Sequence, residues 1–532
     1  MKIKKIWDYV FIAFCLTAMS FLLIGSIRRE SPTYDEVTYA EYGYHFLINH
    51  DFRYDPFSPP LAKEIVALPA LINKNVIYDR IIFWPRMMTV LFTLGLAALI
   101  YLFSKKLFGE SAAKLSLLLF VFEPNLLANG HYADADLIFT FFYILSLFFF
   151  WLWRKKFTRK RIIIFSIITG LLLSTKITSI PFFIFPVIVL YALGIKRKRD
   201  LITYVFWKKR IWMFLAVAFI VSVTLWATYF FKFEPPLGYR FDQKRPAIAL
   251  SKTNPLIKFA LTVPIPLGSY ISTIKQTFLY NYSNLYIKRS YILGMASDFG
   301  SPGYYFPLVF FIKTPLPLLM LFVPCLLITF KYVKKEKYIL IPLLFIFLNV
   351  ILSHVTLVNR YILPVYPLVI IYAGQIVNIR IVRKTILFLF LGFLLIWYIA
   401  GTLKAFPYFV SYMNEAAGGA GNRYKYLVDA NYDWGQGLIA LKKYEDNQGI
   451  RNLQLAYFGS IDPVKYGIAY EKIKNLAIND SKKTVALKFD KNHTIAISAT
   501  CWYFCGYDRD PALNKYKPVT VVGGSILIFK KY

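Results

Sequence analysis

Residues 6–39 read IWDYVFIAFCLTAMSFLLIGSI, then RRE, then SPTYDEVTY. The run from Ile6 to Ile27 is long enough to cross a bilayer. The acidic pair Asp35-Glu36 follows at once, in Ser31-Pro32-Thr33-Tyr34-Asp35-Glu36-Val37-Thr38-Tyr39. Ionised groups at the mouth of a membrane helix are costly and usually functional. A membrane enzyme with carboxylates there can act on something that a lipid carries to it. The alternative is helix capping, because Thr33 and Asp35 suit a helix start.

Apolar runs of bilayer length recur down the chain, and 57% of its 532 residues are hydrophobic. We read about eleven spans, near 6–27, 83–103, 115–130, 136–153, 162–178, 179–194, 211–231, 306–330, 338–354, 361–379 and 385–406. Basic clusters at Lys2/Lys4/Lys5, Lys105/Lys106, Arg154 to Arg161, Lys196 to Arg199, Lys208 to Arg210, Lys331 to Lys337 and Arg380 to Lys384 then all fall on one side. The positive-inside rule makes that side the cytoplasm. The net charge of +34 is therefore a topology signal with attraction to anionic membrane lipids, not a sign of nucleic-acid binding. The N-terminal apolar run lacks a clean small-residue cleavage site and reads as a retained first helix.

The expected fold is a polytopic α-helical membrane protein with a small C-terminal α/β domain. Residues 1–406 form the membrane part, with outer loops at about 28–82 and 232–305, and residues 407–532 form an extracytoplasmic domain. Thr484-Val485-Ala486-Leu487 and Ile495-Ala496-Ile497-Ser498 read as strands of that domain. The expected location is the plasma membrane, multi-pass.

Several further residues could carry chemistry. Lys63, in Asp55-Pro56-Phe57-Ser58-Pro59-Pro60-Leu61-Ala62-Lys63, either meets a phosphate or snorkels to the interface. Asn129-Gly130-His131-Tyr132-Ala133-Asp134-Ala135-Asp136 brings a second acidic loop to the face of Asp35; Asp134 is equally well a solvated turn residue, and His131 reads as structural. Lys176, Lys313 and Arg360 lie near outer ends of spans, against the inside-positive pattern. A cation there needs an anionic partner, either a lipid phosphate or an Asp or Glu of the bundle. Cys15 and Cys325 read as inert packing residues. Cys501 and Cys505 are either a bridge across a sharp turn or two thiols, and a lone pair makes no zinc site. There is no Walker loop and no Rossmann glycine motif, so a sugar donor would be lipid-linked.

In order and spacing these motifs resemble the polyprenyl-phosphate-sugar-dependent glycosyltransferases of the GT-C superfamily. The nearest likeness is to the protein O-mannosyltransferase group, which is related to the lipid A aminoarabinose transferases. Tyr34-Asp35-Glu36, Pro59-Pro60-Leu61-Ala62-Lys63, Asp136, Lys176, Lys313-Thr314-Pro315 and Arg360-Tyr361 through Pro364 match its signatures in turn, and Gly418-Gly419 with Asp429-Ala430-Asn431-Tyr432-Asp433-Trp434-Gly435-Gln436 resembles the outer domain of its prokaryotic members. Ser58 and Asn129 stand where the family often has histidine, so the roles of those histidines do not carry over.

The resemblance implies inverting transfer of a hexose, commonly mannose, from a polyprenyl phosphate to a hydroxyl of a protein, lipid or polysaccharide. Asp35, Glu36 and Asp136 would be the catalytic carboxylates, with Glu36 and Asp136 the ligands if a divalent metal takes part. Lys63, Lys176, Lys313 and Arg360 would bind the donor phosphate. The rival class is a flippase for lipid-linked glycans, which would need inverted repeats and midplane charges that the sequence does not display.

Overall fold

The computed structural model describes residues 2–194, 204–236, 255–282, 289–298, 300–329, 335–352, 358–379, 383–477 and 484–531. The basic clusters at Lys196 to Arg199 and Lys331 to Lys334, and Arg380, lie outside those residues. The first ten helices are α1 (Lys2–Ile27), α2 (Glu36–Asn49), α3 (Leu61–Ala67), α4 (Phe83–Phe108), α5 (Glu110–Val121), α6 (Pro124–Asn129), α7 (Ala135–Lys155), α8 (Arg159–Leu173), α9 (Phe185–Leu193) and α10 (Tyr204–Ala227).

Every apolar run read from the sequence contains helix, but not every one is a full span. Among the described residues five helices are long and apolar enough to cross a membrane, and six if one bent pair counts as a span. Three shorter apolar stretches, Ile180–Leu193, Lys337–Leu352 and Val365–Asn378, accompany them. Two expected spans are broken. The run 115–130 divides between α5 and α6, where Glu123 accepts a bond from Leu126 N (2.6 Å) and Pro124 opens a new helix. The run 306–330 bends by 117° between Tyr305–Lys313 and Leu316–Ile328. Pro315 causes this break, because it supplies no N–H and pushes Thr314 into extended backbone (ψ 129°).

The segment Val365–Gly374 is buried at every residue, so it is the centre of the bundle and touches no lipid. Ser116 of α5 donates to Ile370 O of that helix (3.3 Å) and bonds Ser104 of α4 (3.0 Å). The bundle has two chemically distinct ends. At one end Asp8 pairs with Lys114, Lys335 donates to Leu107 O (3.2 Å) and Asn378 to Phe108 O (2.9 Å). At the other end lie the loop before α2, the N-terminus of α7 and the turn Asn359–Ile362. With a rise of about 1.5 Å per residue, the 26 residues of α4 hold these ends ~39 Å apart.

The segment between α1 and α4 is itself helical. α2 and α3 cross so closely that a Cβ on Gly43 would lie 2.0 Å from Lys63 O. The C-terminal part carries a five-stranded sheet in the order Glu471–Lys472, Leu453–Ala456, Thr494–Ser498, Ile526–Lys530, Thr520–Val522, parallel among the first three and antiparallel across the rest. Alternation along Thr494–Ser498 sends Ala496 to a small core with Leu438 and Leu441, while Ile495 and Ile497 join the main apolar core. The expected strand at 484–487 does not form; only Val485 makes a single bridge, to Ile473. Cys501 and Cys505 are free thiols one helical turn apart, with sulfurs 2.8 Å from each other.

Replacing Gly43 with alanine forces α2 away from α3. Purified in detergent, G43A is expected to lose about 1–3 kcal/mol of stability, read as a fall in unfolding temperature.

Candidate functional site

The side chains that sequence reading placed on one face do meet, around Arg360. Pro364 opens the buried helix, and the turn Asn359–Ile362 before it delivers the guanidinium to the bundle end opposite Asp8 and Lys114. Arg360 donates through Nη1 to Asp134 (2.6 Å) and through Nη2 to Asp35 (3.0 Å), and it stands 3.6 Å from Asp136. Lys176, in the turn after α8, pairs with Asp136 and lies over the Tyr361 ring, 4.4 Å from its centroid. Asp35, Asp136, Lys176 and Arg360 thus share one cluster, and Asp134 is a full member of it rather than a solvated turn residue.

Asp35 precedes the first turn of α2, but its side chain makes no capping bond. Its carboxyl is 36% exposed while that of Asp136 is 2% exposed, so Asp35 is the acid open to a reactant. Loss of water raises the pKa of Asp35; Arg360 opposes this and Asp134 adds to it. Asp134 goes the other way: burial would lift it, but Arg360 and Lys176 outweigh burial and hold it below the usual carboxylate range.

Lys63 occupies a neighbouring cluster. It pairs with Asp55 (2.6 Å), donates to Ser58 O (3.2 Å) and bonds Ser58 Oγ. Ser58 therefore lies in the lysine's cradle. A cavity of about 20 Å³ lined by Asp55, Ser58, Pro60 and Tyr229 adjoins it, with room for about one water. Tyr39 bridges the two clusters. Its ring lies 4.9 Å from the Lys63 ammonium, and burial, then the charges of Asp134 and Asp55, hold its phenol well above the usual range.

Two expected site residues are elsewhere. Glu36 is fully buried, and its oxygens accept from Arg86 Nε (2.8 Å), Arg86 Nη2 (2.7 Å), Thr33 N (2.7 Å) and Ala133 N (2.7 Å). Four donors leave it no lone pair for substrate or metal. Lys313 is 2% exposed and donates to Val410 O (2.7 Å) and Asn431 O (2.8 Å). Those carbonyls belong to the C-terminal segment, so Lys313 ties that segment to the bundle rather than meeting a phosphate. Glu36 and Asp136 do not fit a divalent ion, since one is saturated and the other neutralised by Lys176. Among the described residues no group of three or more Asp, Glu, His or Cys is gathered as such an ion needs. Asn129 donates to Asn125 O (2.9 Å), and His131 is buried between Leu127 O (2.7 Å) and Glu30 (2.8 Å).

Sequence reading missed Arg86, Asp55 and Trp434. Arg86 is fully buried, binds Glu36 by two nitrogens, and also donates to Glu30 O (3.0 Å) and Ser31 O (3.0 Å). It lies in the first turn of α4, at the bundle end that holds Arg360, the same exception to the charge pattern that singled out Lys176. Trp434 carries Arg360 on its ring face, 4.2 Å from the centroid. Asp429, also from the tail, has left-handed backbone (φ 56°).

The fold is of the GT-C type, the type seen in the solved structure it resembles over nearly its whole length. Residues 11–237 match the model of the family described as dolichyl-phosphate-mannose-protein mannosyltransferase. The crystal structure of ArnT from Cupriavidus metallidurans in the apo state superposes with a TM-score of 0.51 at 13% identity, covering 99% of this chain and 98% of that one. The same protein bound to undecaprenyl phosphate gives 0.49 at 13% identity over 98% and 97%. The archaeal oligosaccharyltransferase AglB from Archaeoglobus fulgidus, in complex with an inhibitory peptide and a dolichol-phosphate, gives 0.45 at 14% identity over 75% and 56%. No curated protein matches the sequence.

The neighbours Asp35 and Glu36 should separate experimentally. E36Q leaves Arg86 buried with the charge of its carboxylate partner gone and is expected to cost about 3–5 kcal/mol. D35N, at a partly open pair, should cost about 1 kcal/mol or less. Thermal unfolding of the two variants in detergent checks the contrast.

Proposed function

We propose that the protein transfers a hexose from a polyprenyl-phosphate donor to a hydroxyl acceptor, with inversion, at the extracytoplasmic surface. The observation that carries this is the meeting of a partly open carboxylate, Asp35, with a cation, Arg360, at the bundle end opposite the basic loops. The positive-inside rule puts that end outside the cytoplasm. Mannose is the sugar named in the family that residues 11–237 match, and a protein, lipid or envelope polysaccharide supplies the hydroxyl.

Asp35 accepts the proton of the attacking hydroxyl. The hydroxyl oxygen bonds to the anomeric carbon from the face opposite the phosphate. The carbon–oxygen bond to phosphate breaks, and the lipid phosphate departs with the electron pair and one more negative charge. Arg360, Lys176 and Lys63 are the cations beside which that charge grows, in a site where little water competes. Asp134 and Asp136 keep Arg360 and Lys176 in place and balance them until a donor arrives.

D35N should lower transfer of labelled hexose from a polyprenyl-phosphate hexose by at least about a hundredfold, with the protein still in the membrane. R360K should lower kcat by about 10²–10³-fold, because a lysine cannot replace the fork that faces both acids and phosphate. Undiminished transfer by D35N would remove Asp35 from the mechanism. Covalent transfer also separates an enzyme from a flippase, which would move lipid without it. Mass spectrometry of the cell envelope with and without the protein identifies sugar and acceptor.

The pH profile follows from the direction of the Asp35 shift. Only the carboxylate can take a proton, so activity falls as pH drops through a pKa raised above the ordinary aspartate range. D134N removes a charge that raises this pKa, and the acid limb of kcat/KM should move to lower pH.

A further inference from the structure

Asp35 and Arg360 are 325 residues apart, and one short stretch of the C-terminal tail grips the backbone beside both. Tyr34 N donates to Trp434 O (2.9 Å), Ser31 N to Gln436 O (3.1 Å) and Ser31 Oγ to Gly435 O (3.0 Å). On the other side Asn359 N donates to Asn431 Oδ1 (2.6 Å). The path between needs a glycine: Gly435 has φ 90°, and a Cβ there would lie 2.8 Å from Phe458 O. The stretch is held in turn by Thr500 N donating to Asp433 (2.9 Å) and by Trp434 N donating to Gln436 Oε1 (2.8 Å).

Trp434 is the side chain this stretch delivers. Its indole is 2% exposed, with the Arg360 guanidinium on its face and Tyr132 edge-on at 5.6 Å. A substrate cannot reach so buried a ring. What the ring does reach is the plane of the guanidinium. The N–H groups of a guanidinium lie in its own plane, so a ring held against one face limits how that plane can turn, and here Nη1 and Nη2 are aimed at Asp134 and Asp35. Within the protein nothing accepts from Arg360 Nε among the described residues.

We propose that Trp434 is a positioning residue for transfer, acting through Arg360 by fixing the plane in which it meets the donor phosphate. This rests on Arg360 being a phosphate-binding cation. The tail is then a working part of the site in the membrane part.

The test uses the full chain in detergent and the affinity for radiolabelled undecaprenyl phosphate, which needs no acceptor. W434L and W434M should weaken binding about tenfold, and W434F, which keeps an aromatic face, should stay within about threefold of the native protein. In an R360K background the leucine and methionine variants should cost nothing further, since there is no planar fork left to orient. Using both guards against one failing to fold. Native-like binding by W434L or W434M overturns the proposal, as does an equal loss in the R360K background, which would mark a purely structural ring. If R360K binds as well as the native protein, the reading of Arg360 fails and takes this proposal with it.

Discussion

A guanidinium in a nearly dry cleft cannot stand unpaired, and the end of the bundle that holds Arg360 is built around that constraint. Arg360 is 16% exposed and draws in acids from two separate loops, Asp35 before α2 and Asp134 with Asp136 at the start of α7. Asp136 in turn fixes Lys176 beyond the end of α8. Four elements distant in sequence are held together by charges that must find one another. The arrangement is nearly balanced but not closed, because Asp35 keeps part of its carboxyl open to solvent.

The neighbouring residues Asp35 and Glu36 show how position decides the use of a carboxylate. Helical geometry turns successive side chains by about 100°, so the two face different surroundings. Glu36 turns inward and meets Arg86, which also binds backbone carbonyls of residues 30 and 31. That fully buried pair fastens the acid loop to α4. Asp35 turns toward the cleft and can exchange partners. A buried pair with every oxygen satisfied stabilises a loop; a partly open one can do chemistry.

Much of this was legible in the sequence. Hydropathy located each helix-containing run, and the basic loops sorted its ends, because length and charge are local properties. Asp35, Asp136, Lys176 and Arg360 were found together because charged residues at helix mouths are rare enough to stand out. Lys313 was misread on the same rule: its partners are neutral backbone carbonyls, which leave no mark in a sequence. Glu36 was misread because its partner, Arg86, was overlooked, and the two are 50 residues apart. The break at Thr314-Pro315 was written in the proline but hidden by the uninterrupted apolar run around it. Trp434 stood inside the tail motif 429–436, but nothing in the sequence paired it with Arg360.

The helix Val365–Gly374 begins five residues after Arg360 and is enclosed by protein on every side. Bilayers differ in thickness, and helices in contact with acyl chains answer by tilting. A helix without such contact has no reason to follow. The cation just before it, Arg360, is thereby mechanically insulated from the lipid around the protein. Membranes that thin or thicken would strain the peripheral helices first, with the Arg360 cluster the last part to feel it.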